Sequence, residues 1–269
     1  MRSPDVEIIA ARPAPDHELH VLPDLDPETV GAFVNPHMLF AKHLGLRGSY
    51  RKLKEAGDPR LAELEEVIAR VRRAGWIHAR AMYRFYDADS DGNTVRLSIG
   101  GREEAVLHFP RQVAGERLSL ADFIRPASSG GEPPDSVALL ITTAGEGIRA
   151  RAEDLKVRGE YLLCHSLQAL AVETAEAAAE WVHGEIRSRW GFPDGPSITM
   201  TDRFQAHYQG KRYSPGYPAW PELGDQTTVF RLLPGEKIGV ELTDGSMMDP
   251  EASVSAMVLH HPQARYFAV

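Results

Sequence analysis

Between Ser136 and Thr143 the chain carries five apolar residues in succession, Val137 to Ile141. A half-buried strand would alternate apolar and polar side chains. A continuous apolar run of this length, closed by a turn signal at Gly145, predicts a central strand covered on both faces. Such a strand requires a layer of structure on each side, and the rest of the chain must supply them.

The main cover is legible close by. Residues 160–190 hold a long helical pattern, with Leu167, Leu170, Thr174, Ala177 and Trp181 on one face and Gly191 as the stop. Ala175, Ala177, Ala178 and Ala179 are small enough to let another element approach closely, which predicts a long central helix. Upstream, Asp26-Pro27-Glu28 combines a capping carboxylate, a proline suited to the first helical position and an acid at the positive end of the helix dipole. The device recurs at Asn35-Pro36, which predicts a break and a second helix ending at Gly45. It recurs again at Asp58-Pro59, where Leu61, Leu64, Ile68 and Val71 form one stripe before Gly75.

Strand signals alternate with these. Ala81, Tyr83 and Phe85 predict a half-buried strand, Asp91-Gly92 a hairpin turn, and Val95, Leu97 and Ile99 the returning strand. Ala105 to Phe109 predicts another. Beyond the long helix, a helix is expected at Asp225 to Leu233, and strands near Ile238 to Leu242, at Ser253 to His260 and at Arg265 to Val269. Residues 1–25, rich in Pro, Asp and His, read as an N-terminal extension or linker that packs poorly unless it meets a partner. Strands and helices in mixed order over 26–269 make one α+β domain.

Charge and cysteine content exclude several function classes. Lys and Arg total 30 against 38 for Asp and Glu, so net charge does not favour nucleic acid or an anionic membrane. The single cysteine, Cys164, excludes an internal disulfide and a multi-thiolate zinc site. No apolar run is long enough to span a bilayer, and Met1 to Glu7 lack a secretion signal, so a cytoplasmic location is expected. His260 and His261 are neighbours in a predicted strand and leave by opposite faces, while His165 and His183 lie far apart on the long helix, so no metal site is expected. There is no G-x-S-x-G, and Cys164 sits in an apolar helical stretch, so no nucleophile stands out. The pairs Gly100-Gly101 and Gly130-Gly131 lack a phosphate-loop signature. Gly145-Glu146-Gly147 follows the central strand but lacks a third glycine, and reads as a turn.

Residues 192–224 break the rhythm with Pro193, Pro196, Pro215, Pro218 and Pro221, yet Phe204, Tyr208, Tyr213, Tyr217 and Trp220 argue against disorder. Arg212 to Pro218 packs a guanidinium, two phenols and a stiff backbone into seven residues. Arg212 can fork onto a carboxylate, Gly216 lets a ligand approach the backbone, and the rings can cover a planar base or a cation. A proline-rich loop pinned on the core by its aromatics would carry the same composition.

Taken together, several strings resemble the activation domain of cobalamin-dependent methionine synthase. They are R-Y-S-P-G-Y-P-A at 212–219, L-T-D at 242–244, M-D-P-E-A-S-V-S-A at 248–256 and H-P-x-A-x-Y-F at 261–267. L-A-D-F at 120–123, T-A-G at 143–145, A-E-A-A-A-E-W-V-H at 175–183 and Met38-Leu39-Phe40 add to them, so the resemblance runs from about residue 30 to the C-terminus. It implies an antiparallel sheet flanked by helices and a shallow groove for S-adenosylmethionine. It implies a reactivation role, in which the methyl donor is presented to oxidised cobalamin on a partner module while a flavodoxin-type protein donates an electron. By the same resemblance Arg212 meets the ligand carboxylate, Tyr213, Pro215 and Gly216 line the groove, and Glu176 lies near the ligand. Tyr266 and Phe267 match an aromatic pair at the ligand, and Tyr217 faces the cobalamin. Asn35 stands where some members carry an aspartate for the ligand's ammonium group, which implies weaker binding here. Trp220 stands where a cysteine is common. The chain shows no cobalamin-binding D-x-H-x-x-G motif, no homocysteine zinc site and no folate barrel, so it is expected to act on a cobalamin module in cis or in trans and to make no methionine alone. The alternative is a docking module for a corrinoid protein or flavodoxin that no longer binds S-adenosylmethionine usefully.

Overall fold

A computed structural model describes residues 2–127 and 133–269. The Gly130-Gly131 pair lies outside the described residues. Strand β1 (His20–Leu22) is followed by helix α1 (Pro27–Gly31), a π-helical turn at His37–His43, and helices α2 (Tyr50–Glu55) and α3 (Pro59–Arg73). Strands β2 (Arg80–Asp91), β3 (Thr94–Ile99), β4 (Arg102–His108) and β5 (Asp135–Thr143) come next, then helices α4 (Ile148–Val157) and α5 (Tyr161–Arg189). The remainder holds α6 (Met200–Phe204), β6 (Lys211–Tyr213), α7 (Gln226–Leu232), the two-residue strands β7 (Glu241–Leu242) and β8 (Met248–Asp249), and β9 (Ser253–Leu259).

The main sheet runs in the order β4-β3-β2-β5-β9-β6, with β1 on β2 beside it, and every pairing is antiparallel. The expected α+β class with an antiparallel sheet flanked by helices is the class observed. The apolar run is the centre: β5 lies between β2 and β9, and all nine of its residues are buried. Ala138 and Leu140 face the α5 layer, while Val137, Leu139 and Ile141 face a second core with Val229, Leu233, Ile238 and Trp220. The long helix closes the first face. Ala171, Ala175, Ala178 and Val182, spaced four, three and four apart, are each at most 1% exposed, and Thr142 Oγ1 donates to Ala175 O at 3.0 Å. Only a small side chain allows strand and helix to approach that closely.

The helix starts follow the local chemistry. Asp26 accepts from Thr29 N at 2.8 Å and Asp58 from Arg60 N at 2.9 Å, each ahead of a proline. Gly75 takes a left-handed φ of 63° just after α3, where a side chain would be strained.

Four expectations are corrected. Strand β2 was expected to be half-buried; it is covered on both faces, because Met82, Tyr86 and Ala88, between the alternating residues, enter the second core. Residues 238–242 were expected as a strand; Gly235–Ile238 is instead a 3₁₀ turn, and only Glu241–Leu242 pairs. Residues 265–269 form no ladder; Val269 N reaches Pro218 O at 3.1 Å, and the segment is otherwise held by side chains. The 1–25 stretch was expected to pack poorly, yet β1 joins the sheet, Val6 is 4% exposed within the second core, and Arg12 N donates to Asp135 Oδ1 at 3.0 Å. His260 and His261 fall just past β9 and do diverge, the first to Asp135 Oδ1 at 2.7 Å and the second to Glu7 O at 3.0 Å.

Candidate functional site

The site begins at the edge of the sheet, beside β9. There Gly210, with φ 78°, admits the chain to β6; a Cβ on it would lie 2.7 Å from Leu259 O. Three residues then pair with β9, so part of the segment expected to be irregular is an edge strand. Alternation sends Arg212 toward α5 and Tyr213 into the second core. The following turn is set by Gly216, whose φ is 85° and whose N–H donates to Trp220 O at 2.8 Å. Trp220 is fully buried; its Nε1 donates to Asp225 Oδ2 at 2.6 Å and its ring meets Phe109 at 5.1 Å. That anchor leaves Tyr217 outside, 62% exposed.

The C-terminal residues complete the wall. Tyr213 Oη donates to Arg265 O at 2.8 Å, Tyr266 packs edge-on against Tyr213 at 5.7 Å, and Phe267 lies 6.2 Å from Phe123. A cavity of about 390 Å³ opens between these segments, lined by Glu176, Arg212, Tyr213, Pro215, Tyr266 and Phe267 among others. A second, of about 480 Å³, holds Asn35, His43, Glu173, Glu180 and Tyr208. The two share Glu176, Arg212, Tyr217 and Tyr266, so they are two chambers of one groove.

Every residue expected at a ligand is therefore on this groove or in its turn. Gly216 lies in the turn between lining residues, with no lining contact of its own. Asn35 lies in the second chamber, but its Oδ1 already accepts from His37 N at 3.0 Å and Met38 N at 3.3 Å, capping the π-helical turn. Sequence reasoning gave no role to Glu173, Glu180, Tyr208, His43, Gln226 or Ser255. The acids were findable: Glu173, Glu176 and Glu180 are three and four apart, which places them on one face of α5. Gln226 Oε1 accepts from Ser255 Oγ at 2.7 Å on the opposite wall, a pairing across 29 residues that no local pattern signals.

Charge is concentrated and mostly out of water. Arg212 Nη1 bonds Glu180 Oε2, and Arg212 Nη2 stands 3.5 Å from Glu176 Oε2. Burial opposes the guanidinium's charge, but Glu180, Tyr208 and Glu176 outweigh it and hold the group above its usual value, so Arg212 is a permanent cation. Glu173, 5% exposed at its side chain, contacts His43 Nε2 at 2.9 Å. Burial, and then the charge of Glu176, push its carboxyl up to about 7. Behind the groove, burial and then the cations Arg187, Arg212 and Lys211 hold His183 well below its usual value, so it is neutral. Cys164 lies away from this groove, half-buried, with Sγ 3.2 Å from Ala152 O. No helix among the described residues is long and apolar enough to cross a membrane.

Comparison with known proteins agrees with this architecture. The family profile described as the activation domain of vitamin B12 dependent methionine synthase matches residues 39–269. Methionine synthase of Mycobacterium tuberculosis is 32% identical over 254 residues, 86% of this chain and 21% of that protein. Methionine synthase of Mycobacterium leprae is 30% identical over 259 residues, 88% of this chain and 21% of that protein. The chain thus spans about a fifth of the length of these curated relatives. Among solved structures, the MetH reactivation domain bound to AdoHcy superposes with a TM-score of 0.87 at 24% identity, over 97% of this chain and 83% of that one, which establishes the fold. With the profile covering all of the sheet beyond β1, both groove chambers' walls from Leu39 onward and the C-terminal aromatic pair, the chain belongs to the family of methionine synthase activation domains.

Proposed function

We propose that this domain binds S-adenosylmethionine in the two-chambered groove and presents its methyl group for the reductive methylation of cob(II)alamin to methylcobalamin. The observation that carries the reading is the placement of a permanent cation, Arg212, between carboxylates and aromatic rings in one open groove. That donor set suits a ligand with a carboxylate, an ammonium group and a flat base. Chambers of about 390 and 480 Å³ are of a size that holds small molecules. Glu180 Oε1 is buried without a hydrogen-bond partner, the kind of orphan group a functional site retains.

The residues divide the work by chemistry. Arg212 grips the ligand's carboxylate, and Glu176 favours its positive groups. Tyr266 and Phe267 flank the base, with Ser255 and Gln226 supplying polar edges. Tyr217, exposed at the mouth, meets the partner. Cobalamin, carried by a separate module in cis or in trans, supplies the methyl-accepting metal, and a flavodoxin-type donor supplies one electron per methyl cation taken. A sulfonium is already a good leaving group, so no general acid or base is required of this chain; its contribution is orientation and exclusion of water. The reaction is the reactivation half of a cytoplasmic methyltransferase, and the domain alone makes no methionine.

Calorimetric titration of S-adenosylmethionine into the purified domain tests this. Saturable binding is expected, and Arg212→Ala should weaken it by about tenfold or more, the worth of a charge-assisted fork. Absence of binding by a folded wild-type domain, alone and with the cobalamin module added, would overturn the reading in favour of a docking module.

A further inference from the structure

Behind Arg212 lies a row of buried and half-buried side chains, each fixed by the next. Asp194 Oδ1 accepts from Arg187 Nε at 3.0 Å and Nη2 at 2.7 Å, and Asp194 Oδ2 accepts from Arg203 Nε at 3.1 Å. Held that way, the Arg187 guanidinium lies 4.0 Å from the centroid of the Tyr208 ring. His183 meets the same ring edge-on at 5.2 Å. The pinned ring directs its hydroxyl to Glu180 Oε2 at 3.0 Å, and that oxygen also bonds Arg212 Nη1. The Glu180 side chain is 9% exposed and that of Arg212 18%.

This row is a poor device for stability. A buried ion pair repays its desolvation only with complete hydrogen bonding, and here Glu180 Oε1 and Arg187 Nη1 have no partner. Well-packed apolar residues would hold the fold as well. What the row does provide is orientation. A free arginine loses rotamer freedom when it grips a carboxylate, whereas a braced one has lost it already on folding. With Nη1 held by Glu180 and Nη2 only 3.5 Å from Glu176 Oε2, a ligand carboxylate that forks onto the Nε–Nη2 edge takes the place of the longer contact and leaves the Glu180 brace intact.

We infer that Tyr208 and Glu180 are positioning residues that hold Arg212 ready for the ligand's carboxylate, and so set the preference for a ligand whose amino-acid end is intact. The inference rests on the S-adenosylmethionine reading above. It assigns the acidic charge of the groove two tasks: Glu176 faces the ligand directly, while Glu180 acts through Arg212.

The test compares two ligands, S-adenosylmethionine and its decarboxylated form, on wild type, Glu180→Gln and Tyr208→Phe. The readout is the ratio of the two affinities. Glu180→Gln should lower that ratio by about tenfold and Tyr208→Phe by about threefold, with the decarboxylated ligand bound within about twofold of wild type throughout. Equal weakening of both ligands would assign these residues to the fold and overturn the inference, as would an unchanged ratio. Failure of wild type to bind either ligand would instead remove the functional reading itself. Far-ultraviolet circular dichroism and thermal melting establish that each variant folds; if Glu180→Gln does not, the near-isosteric Tyr208→Phe decides alone.

Discussion

Strands β5 and β6 flank the same neighbour, β9, yet they are held by opposite means. Strand β5 has nine residues, a partner on each side and apolar side chains on both faces. Strand β6 has three residues, one partner and a guanidinium aimed at a row of carboxylates. The first needs only volume and apolar surface, so its contacts are interchangeable in kind. The second needs particular atoms in particular places. A chain that builds both in one sheet separates the part that makes the fold from the part that makes the site, with β9 as the boundary.

The sharpest break of the first region is Leu140→Ala. Leu140 is fully buried between β2, β9 and α5. Truncation should cost about 2–5 kcal/mol, the lost transfer energy plus that of the cavity left behind. Urea unfolding should show a lower midpoint with an unchanged slope. The folded variant should bind S-adenosylmethionine as wild type does, since no contact of Arg212 is altered. A loss of affinity in fully folded protein would show that core and site are coupled across β9.

The second region breaks at its entrance. Gly210→Ala places a side chain at φ 78° with its Cβ 2.7 Å from Leu259 O, so strain and a backbone clash act together. A loss of about 2 kcal/mol is expected, less than for Leu140→Ala because an edge of three residues can shift. The shift displaces Arg212, two residues on, so affinity for S-adenosylmethionine should fall as well. Lost stability with full affinity would mean that Glu180 and Tyr208 hold Arg212 without help from the strand.

The same division governs what the sequence could reveal. Val137 to Ile141 announced β5 because burial on both faces leaves a continuous apolar run, and α5 followed from its small-residue stripe. Asp26-Pro27 and Asp58-Pro59 marked helix starts through contacts only a few residues long. Strand β2 was misread because the buried Met82 and Tyr86 fall in the polar phase of an apparent alternation. The C-terminal Tyr266 and Phe267 carry strand-forming side chains, but their segment is held by contacts far away in sequence: Arg265 O and the Tyr266 ring on Tyr213, the Phe267 ring on Phe123, and Val269 N on Pro218 O. At the site, family motifs brought Arg212, Glu176 and the aromatic pair together. The brace behind them, from Asp194 through Arg187 and Tyr208 to Glu180, spans separate elements, and no period or spacing records it.

The smallest expected effect separates the two regions by pH. Glu173 belongs to the helix that covers β5, but it faces the groove beside His43 and Glu176. Burial and the neighbouring Glu176 charge raise its carboxyl from the ordinary 4.5 to about 7. Between those values the folded state holds a proton that the unfolded state has lost. Its contribution is therefore full below about pH 4.5 and disappears as pH rises through about 7. Glutamine cannot ionise, so Glu173→Gln should match wild type near pH 5 and exceed it at pH 8 by about 1–2 kcal/mol; the shift itself is worth about 3, and relaxation around the charged form, together with its contact to His43, recovers part. Denaturant unfolding of both proteins at the two pH values measures the difference. A gap that does not change with pH would mean that Glu173 ionises as a solvated acid does, and that the groove tolerates its full negative charge without cost to the fold.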